Sequence, residues 1–403
     1  MQIYTCIKLN ILFVFFTLPH LSQSSMYSDI VNTFHKNGHN VFPIAPINGE
    51  ERSSYISVEN EINVLRVKTV DVFSRNKFKK GFANILLPHQ YKKAYLKFWD
   101  DVPIDLIIVA TPSVMFADFI SFLKKKKTTR VYLMLKDIFP QNAVDLGFMR
   151  KDGFFYNFFK NNEIKLLQSA DWIGCTSPGN MKYLLKNYSF LKEEDIRLLY
   201  NCTNILDIPG DKTLLSKYNL QNKFILVFGG NMGKPQQLEN ILFLAKRSSI
   251  YKDVLFLIIG KGTEVENLKQ DAADLNLNNI TFLDKVPRED YFALLANCNI
   301  GLISLHQDFT VPNTPMKLND YLNAGIPVLA SIDRNNDLGD LLIQNKMGRY
   351  AYADSPDDLF EEFKLLHENK SLCSELGQNG KKFCFENLST ERAYEEILKN
   401  IKK

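Results

Sequence analysis

The residues with the clearest capacity for chemistry lie in the run Asn313-Thr-Pro-Met-Lys-Leu-Asn-Asp-Tyr-Leu-Asn-Ala-Gly-Ile-Pro-Val-Leu-Ala330. Lys317 and Asp320 stand three apart and would share one face of a helix. Thr314 suits the cap of that helix, Pro315 its first position and Gly325 its end, which puts Lys317 in the first turn. Backbone N–H groups at a helix start, the positive end of the helix dipole and an ammonium group together favour an anion such as a phosphate. The Asp320 carboxylate, one turn deeper, would hold a pair of hydroxyls. The run is therefore expected to take a nucleotide diphosphate and its ribose.

Two glycine turns point the same way. A strand over Phe224–Phe228 runs into Gly229-Gly-Asn-Met-Gly-Lys-Pro-Gln-Gln-Leu-Glu239, and Ile258-Ile-Gly-Lys-Gly262 repeats the arrangement one unit later. Glycines directly after a parallel strand let the backbone approach a ligand, and the next helix offers its positive end. Either turn alone is as often simply a turn. With the Lys317 helix they make three loops on one carboxyl edge, where ligands of open α/β sheets bind.

These loops need a framework. A chain of 403 residues exceeds one ordinary core, so two domains are expected. Short β-branched or aromatic runs alternate with amphipathic stretches, the pattern of parallel sheets covered by helices. The strand candidates are Ile11–Phe16, Val41–Ala45, Ile62–Val67, Leu106–Ala110, Val131–Leu135 and Trp172–Cys175, then Phe224–Phe228, Val254–Ile259, Ile280–Leu283, Ile300–Leu305 and Val328–Ala330. Two doubly wound sheets follow, over residues 1–200 and 201–385, with the boundary near Leu199–Asn204. Residues 386–403 supply a terminal helix from Glu391 that returns to the first domain with Ala393, Ile397 and Ile401 inward. Ser355 is expected to cap the preceding helical stretch, with Asp358 in the capping-box position. The apolar run at Ile11–Leu18 could be a signal peptide, but it reads better as the first strand, followed by a polar turn at His20–Ser25 and a helix ending near Gly38.

Composition narrows the class. Apolar residues make up 45% and charged residues 23%, as in a water-soluble globular protein. The six cysteines are scattered without metal spacing, which points to reduced thiols in a cytoplasmic protein and to no bound metal. Residues 1–200 hold 26 Lys/Arg against 18 Asp/Glu, and residues 201–403 hold 23 against 27. A basic first half suits an anionic surface or substrate.

The series Gly229-Gly-Asn-Met-Gly, Ile259-Gly-Lys-Gly, Val286-Pro-Arg-Glu-Asp-Tyr and Met316-Lys-Leu-Asn-Asp-Tyr-Leu-Asn-Ala-Gly-Ile-Pro-Val resembles the nucleotide-sugar domain of glycosyltransferase family 4. Leu135-Lys-Asp-Ile-Phe-Pro-Gln-Asn-Ala-Val-Asp-Leu-Gly147 resembles the bacterial branch that builds capsule and O-antigen polysaccharides. The resemblance implies a GT-B fold, two facing Rossmann-like domains, and a retaining, metal-independent transfer from a nucleotide-sugar donor. It implies that Gly230, Asn231 and Gly233 lie near the donor diphosphate with Gly260 and Gly262, and that Lys234 or Lys317 offsets its charge. Pro315, Met316 and Leu318 belong to the same donor loop, Asp320 matches the glutamate that binds the ribose, and Val286 matches the segment that holds the base. The pattern departs from the family where Pro312 replaces the first motif glutamate, Asn231 the arginine and Gln236 the lysine.

Under this resemblance Asp137 is the candidate for acceptor positioning or proton handling, with an ordinary capping aspartate as the structural alternative. His306 and Gln307, at the end of Ile300–Leu305, would reach the sugar, and His20 would face the phosphate. Tyr91–Trp99, Lys124–Lys127 and Phe148–Lys160 interleave lysines with aromatics, as membrane-interface surfaces do. The expected partners are a UDP-sugar, a lipid-linked saccharide acceptor and the inner face of the cytoplasmic membrane, with no nucleic acid. A UDP-sugar epimerase, or a silent nucleotide-sugar-binding partner of another transferase, would share the donor loops.

Overall fold

The computed structural model describes residues 8–47, 51–71, 77–207, 210–284, 286–399 and 401. Its chain divides into two units, one formed by the segment up to Asn204 with the segment from Thr390 onward, the other by Ile205–Ser389.

In the first unit β1 (Asn10–Val14), β2 (Asn40–Pro46), β3 (Tyr55–Glu59), β4 (Ile62–Val67), β5 (Leu106–Ala110), β6 (Arg130–Leu135), β7 (Trp172–Cys175) and β8 (Ile196–Leu198) pair in the order β3-β4-β2-β1-β5-β6-β7-β8. All pairings are parallel except β3 with β4. The apolar run at Ile11 is thus the central strand, and Ile11 to Phe15 are fully buried. The helix Met26–Lys36 follows it, with Ser25 accepting the Ser28 N–H as its cap. The terminal helix Thr390–Leu398 buries Ala393, Ile397 and Leu398 in the same core as Ile11 and Phe34, with Ile401 packed against it. There the Tyr394 ring meets Phe34 edge-on and His39 Nε2 lies 3.0 Å from the Tyr394 hydroxyl.

In the second unit β9 (Phe224–Asn231), β10 (Val254–Lys261), β11 (Ile280–Leu283), β12 (Ile300–Ser304), β13 (Val328–Ile332) and β14 (Gly348–Tyr352) form an all-parallel sheet in the order β11-β10-β9-β12-β13-β14. Strand order reverses between β9 and β12. Connections from those strands leave in opposite directions, which opens a crevice at their carboxyl ends.

Several expectations need correction. β3, β8 and β14 are absent from the list of strand candidates. β3 is half-exposed and joined to β4 through Asn60 and Glu61, both at positive φ, so the hairpin lacks the glycine that would announce it. β8 has three residues, and β14 alternates tyrosine with small or charged residues. Helix Pro356–Glu368 starts after Ser355, but Ser355 makes no side-chain cap bond there. In the 91–99 segment, Tyr91 and Tyr95 are fully buried and Trp99 nearly so, which removes them from any surface. Lys124 pairs with Asp171 at 2.9 Å, Lys126 pairs with Asp100, and Lys127 donates to the Asp100 carbonyl, so three of the four lysines brace their own unit.

Candidate functional site

The helix Lys317–Ala324 stands at the crevice between β9 and β12. Pro315 and Met316 already wind into it through bonds from Leu318 N–H to the Pro315 carbonyl (3.1 Å) and Asn319 N–H to the Met316 carbonyl (3.0 Å). The cap position consequently falls on Met316, which makes no side-chain cap bond, and not on Thr314. Gly325 ends the helix in the left-handed conformation at φ 73°. Tyr321 latches it across the crevice: its hydroxyl accepts from Gly229 N–H (3.1 Å) on β9 and donates to the Leu302 carbonyl (3.0 Å) on β12.

Lys317 lies where the loops converge. Its Nζ sits 3.7 Å from the centre of the Phe228 ring and donates to Gln236 Oε1 at 2.6 Å. A Cβ on Gly230 would stand 3.6 Å from Lys317 Cε, so the lysine stem crosses the bare backbone of the β9 turn. Burial pulls the Lys317 ammonium down to about 7, with Asp320 opposing, and pushes the Asp320 carboxyl up to about 6, with Arg288 and then Lys317 opposing. Both side chains keep a partly open face. The site therefore holds a base near 7 and an acid near 6; an anionic ligand would favour the ammonium form of Lys317, and hydroxyls donating to Asp320 would favour its carboxylate.

The glycine turns are in register. Gly230 pairs with Gly260 and Asn231 with Lys261 along β9 and β10. Gly260 has φ 146°, and Gly262 backs onto the Met232 carbonyl so closely that a Cβ would fall 1.9 Å from its oxygen. Asn231 folds over Gly233, its Nδ2 2.9 Å from where a Gly233 Cβ would be. Lys234 opens a short turn and is exposed, as are Gly230 and Asn231. Val286 is half-buried just ahead of the helix Arg288–Leu295.

His306 and Gln307 follow β12, tied to the β9 turn by Gln237. The His306 N–H donates to the Pro235 carbonyl (3.0 Å), the Gln307 N–H to Gln237 Oε1 (2.8 Å), and Ser304 Oγ to the Gln237 carbonyl (2.9 Å). A pocket of about 400 Å³ opens there, lined by Gly233, Lys234, Gln237, Leu238, Glu239, Glu264, Leu268 and His306. It contains two of the expected donor residues, Gly233 and Lys234, with His306, but neither Lys317 nor Asp320. The Lys317 side suits an anion better, because the pocket's lining sets Lys234 against Glu239 and Glu264.

Asp137 and His20 belong to the first unit. Asp137 follows β6, where its N–H and that of Lys136 both donate to Thr111 Oγ1 (3.1 and 2.7 Å). Burial raises its carboxyl, opposed by Lys136, and burial lowers the Lys136 ammonium to about 8, opposed by Cys202, Asp137 and Cys175. His20, half-exposed, touches Ser22 Oγ at 2.8 Å and stands 3.9 Å from Glu59. Sequence reasoning did not foresee Phe228, Arg288 or Tyr321, nor the part Gln236 and Gln237 play. Gln236 was visible only as a lysine position without its lysine. Gln237, at φ 40°, gives no sign of that conformation in its residue type.

The five described cysteines are free, and no three His, Cys, Asp or Glu side chains cluster as metal ligands among the described residues. No helix among them is long and apolar enough to cross a membrane.

Two doubly wound units with these strand orders constitute the two-domain GT-B fold. Sucrose-phosphate synthase from Thermosynechococcus elongatus matches over 98% of both chains with a TM-score of 0.79 at 13% identity. Anabaena HepE in complex with UDP matches over 98% of this chain and 100% of its own, with a TM-score of 0.71 at 14% identity. Within this fold, residues 211–383 match the family Glycosyl transferases group 1. An uncharacterized glycosyltransferase of Methanocaldococcus jannaschii is 24% identical over 318 residues, 75% of this chain and 78% of that protein.

Proposed function

We propose that the protein is a retaining, metal-independent glycosyltransferase of family 4, moving a sugar from a nucleotide diphosphate to a lipid-linked glycan during surface-polysaccharide assembly. UDP is the proposed nucleotide, carrying a sugar such as an N-acetylated hexosamine, and the cytoplasmic membrane face is the proposed workplace. The observation that carries this reading is the convergence of Lys317, Gly230 and the β9–β10 turns at the crevice of the second sheet.

In this reading the Lys317 ammonium exchanges Gln236 for the donor diphosphate and Asp320 accepts hydrogen bonds from the ribose hydroxyls. Bare backbone at Gly230 and Gly260 lets the phosphates lie close. The charge that grows on the departing diphosphate is stabilised electrostatically by a group already held in place. The acceptor hydroxyl enters on the face the diphosphate leaves, passing its proton to the leaving diphosphate, and an oxocarbenium-like state separates the two bonds. His306 is proposed to contact the sugar and Asp137 to orient the acceptor.

Thermal-shift screening against UDP-, GDP- and ADP-sugars tests the donor, because bound ligand raises stability with occupancy. A shift with UDP-sugars is expected, and no shift with any of them defeats the reading. Transfer to a lipid-linked saccharide in the presence of a chelator, with the anomeric configuration read by NMR, tests the chemistry. Pro312, in place of the first motif glutamate, favours a silent donor-binding protein as the second reading. Tight UDP binding without transfer to any lipid-linked acceptor would select it.

A further inference from the structure

Of three aromatic and basic segments in the first unit, one remains a surface. Phe148, Phe154 and Phe155 are 66%, 81% and 67% exposed, within eight residues of each other. Their turn is not loose. Phe148 and Met149 N–H groups both donate to the Ala143 carbonyl (2.8 and 3.2 Å), and Gly153 N–H donates to that of Arg150 (3.3 Å). Asn157 Nδ2 then holds the Asp152 carbonyl at 3.1 Å. The Phe154 and Phe155 rings meet edge to face at 5.5 Å, while Phe159, about one helical turn further on, packs edge-on against Phe139 at 5.0 Å. A braced backbone thus displays large apolar rings that could have been buried.

Such a display marks a contact surface. Between the rings stand Arg150 and Lys151, both exposed, against the single carboxylate of Asp152. Apolar rings flanked by net positive charge match the headgroup and acyl boundary of an anionic bilayer. The turn lies beyond the carboxyl end of β6, on the connection that carries Asp137.

We propose that the Phe148–Phe155 turn is the membrane-contacting element of the first unit, seating its three phenylalanines in an anionic lipid surface. This rests on the lipid-linked acceptor proposed above, and names the residues that would bring the unit to it.

The test is co-sedimentation of the full chain with phosphatidylcholine vesicles, with and without phosphatidylglycerol. The wild type should bind the phosphatidylglycerol vesicles and lose binding in high salt. The triple variant Phe148→Ser, Phe154→Ser, Phe155→Ser should lose about tenfold or more in partitioning. Arg150→Gln with Lys151→Gln should lose about tenfold or more on anionic vesicles, with a weaker salt dependence. In both variants the UDP-induced thermal shift should be unchanged, which shows that they fold. A wild type that ignores anionic vesicles, or a triple variant that binds as well as the wild type, overturns the proposal. So does self-association of the wild type, without lipid, that the triple variant abolishes, since the turn would then be a protein interface. Vesicle binding through the turn without transfer to a lipid-linked saccharide would instead defeat the functional reading and leave the docking surface standing.

Discussion

Gly260 lies back to back with Gly230, so close that a Cβ on Gly260 would stand 1.9 Å from the Gly230 carbonyl oxygen. Gly260 also holds φ at 146°, a conformation that side-chain-bearing residues rarely adopt. The two turns are one unit: β10 shapes the β9 turn that Lys317 crosses.

Gly260→Ala is accordingly expected to displace Gly230 as well as strain its own backbone. A loss of about 1–3 kcal/mol in denaturant unfolding is expected, with a larger loss in UDP affinity than that of a surface Gly→Ala control. A variant with wild-type stability and wild-type UDP affinity would show that the turns do not depend on each other.

Lys317 makes one charged hydrogen bond in the free protein, to Gln236 Oε1. If it transfers that bond to a diphosphate, Lys317→Met should weaken UDP binding by roughly ten- to a hundredfold, the worth of a hydrogen bond to a charged group. The methionine keeps the stem over Phe228, so thermal stability should change little. Asp320→Asn should weaken UDP more than it weakens inorganic pyrophosphate, because only the former brings a ribose. Calorimetric titration of both ligands separates the two roles.

The same pair sets a pH dependence. The Lys317 group lies near 7 and the Asp320 group near 6, both displaced mainly by burial. On the proposed assignment UDP binds the protonated lysine, so affinity should fall as pH rises through about 7. The assignment also has the aspartate ionised, so affinity should fall as pH drops through about 6. A bound diphosphate favours the ammonium form, so binding at pH 7.5 should take up protons. Calorimetry in buffers of different ionisation enthalpy measures that uptake; release of protons would contradict the assignment. For stability the signs differ. The lowered Lys317 group makes the unfolded chain bind more protons between about 7 and 10.5, so its contribution rises with pH across that window. The raised Asp320 group does the opposite between 3.8 and about 6.

A second charged pair anchors the first unit. Arg66 donates to both Glu59 oxygens (2.9 and 2.7 Å) and to the Leu18 and Pro19 carbonyls (2.7 and 3.1 Å), while Glu59 accepts the Leu21 N–H (2.9 Å). The β3–β4 hairpin thereby holds the loop after β1 that carries His20. Both side chains are buried. Arg66→Ala should cost about 3–5 kcal/mol by stranding the Glu59 charge, and pairing it with Glu59→Gln should recover part of that loss in a double-mutant cycle. Additive losses would mean that the two residues act independently.

Much of this was legible along the chain because parallel strands buried on both faces leave short apolar runs. Leu106–Ala110, Trp172–Cys175 and Val254–Ile259 carry that signal unaided. The glycine turns and the Lys317–Asp320 spacing were legible for a similar reason, since close backbone approach and helix periodicity both demand particular residues at particular offsets. The edge strands β3 and β14 were not, because one-sided exposure dilutes their apolar pattern. Nor could sequence distinguish Tyr91, which is buried, from Phe154, which is exposed: both stand among lysines, and only packing decides. Residue types and spacings thus determined which groups could bind an anion. Tertiary structure decided that Gln236 and Phe228 hold the lysine, that Tyr321 latches its helix to β9 and β12, and that burial brings Lys317 and Asp320 toward neutrality. Those relations join residues up to 92 positions apart, and they exist only once the parallel sheet brings its strand ends together.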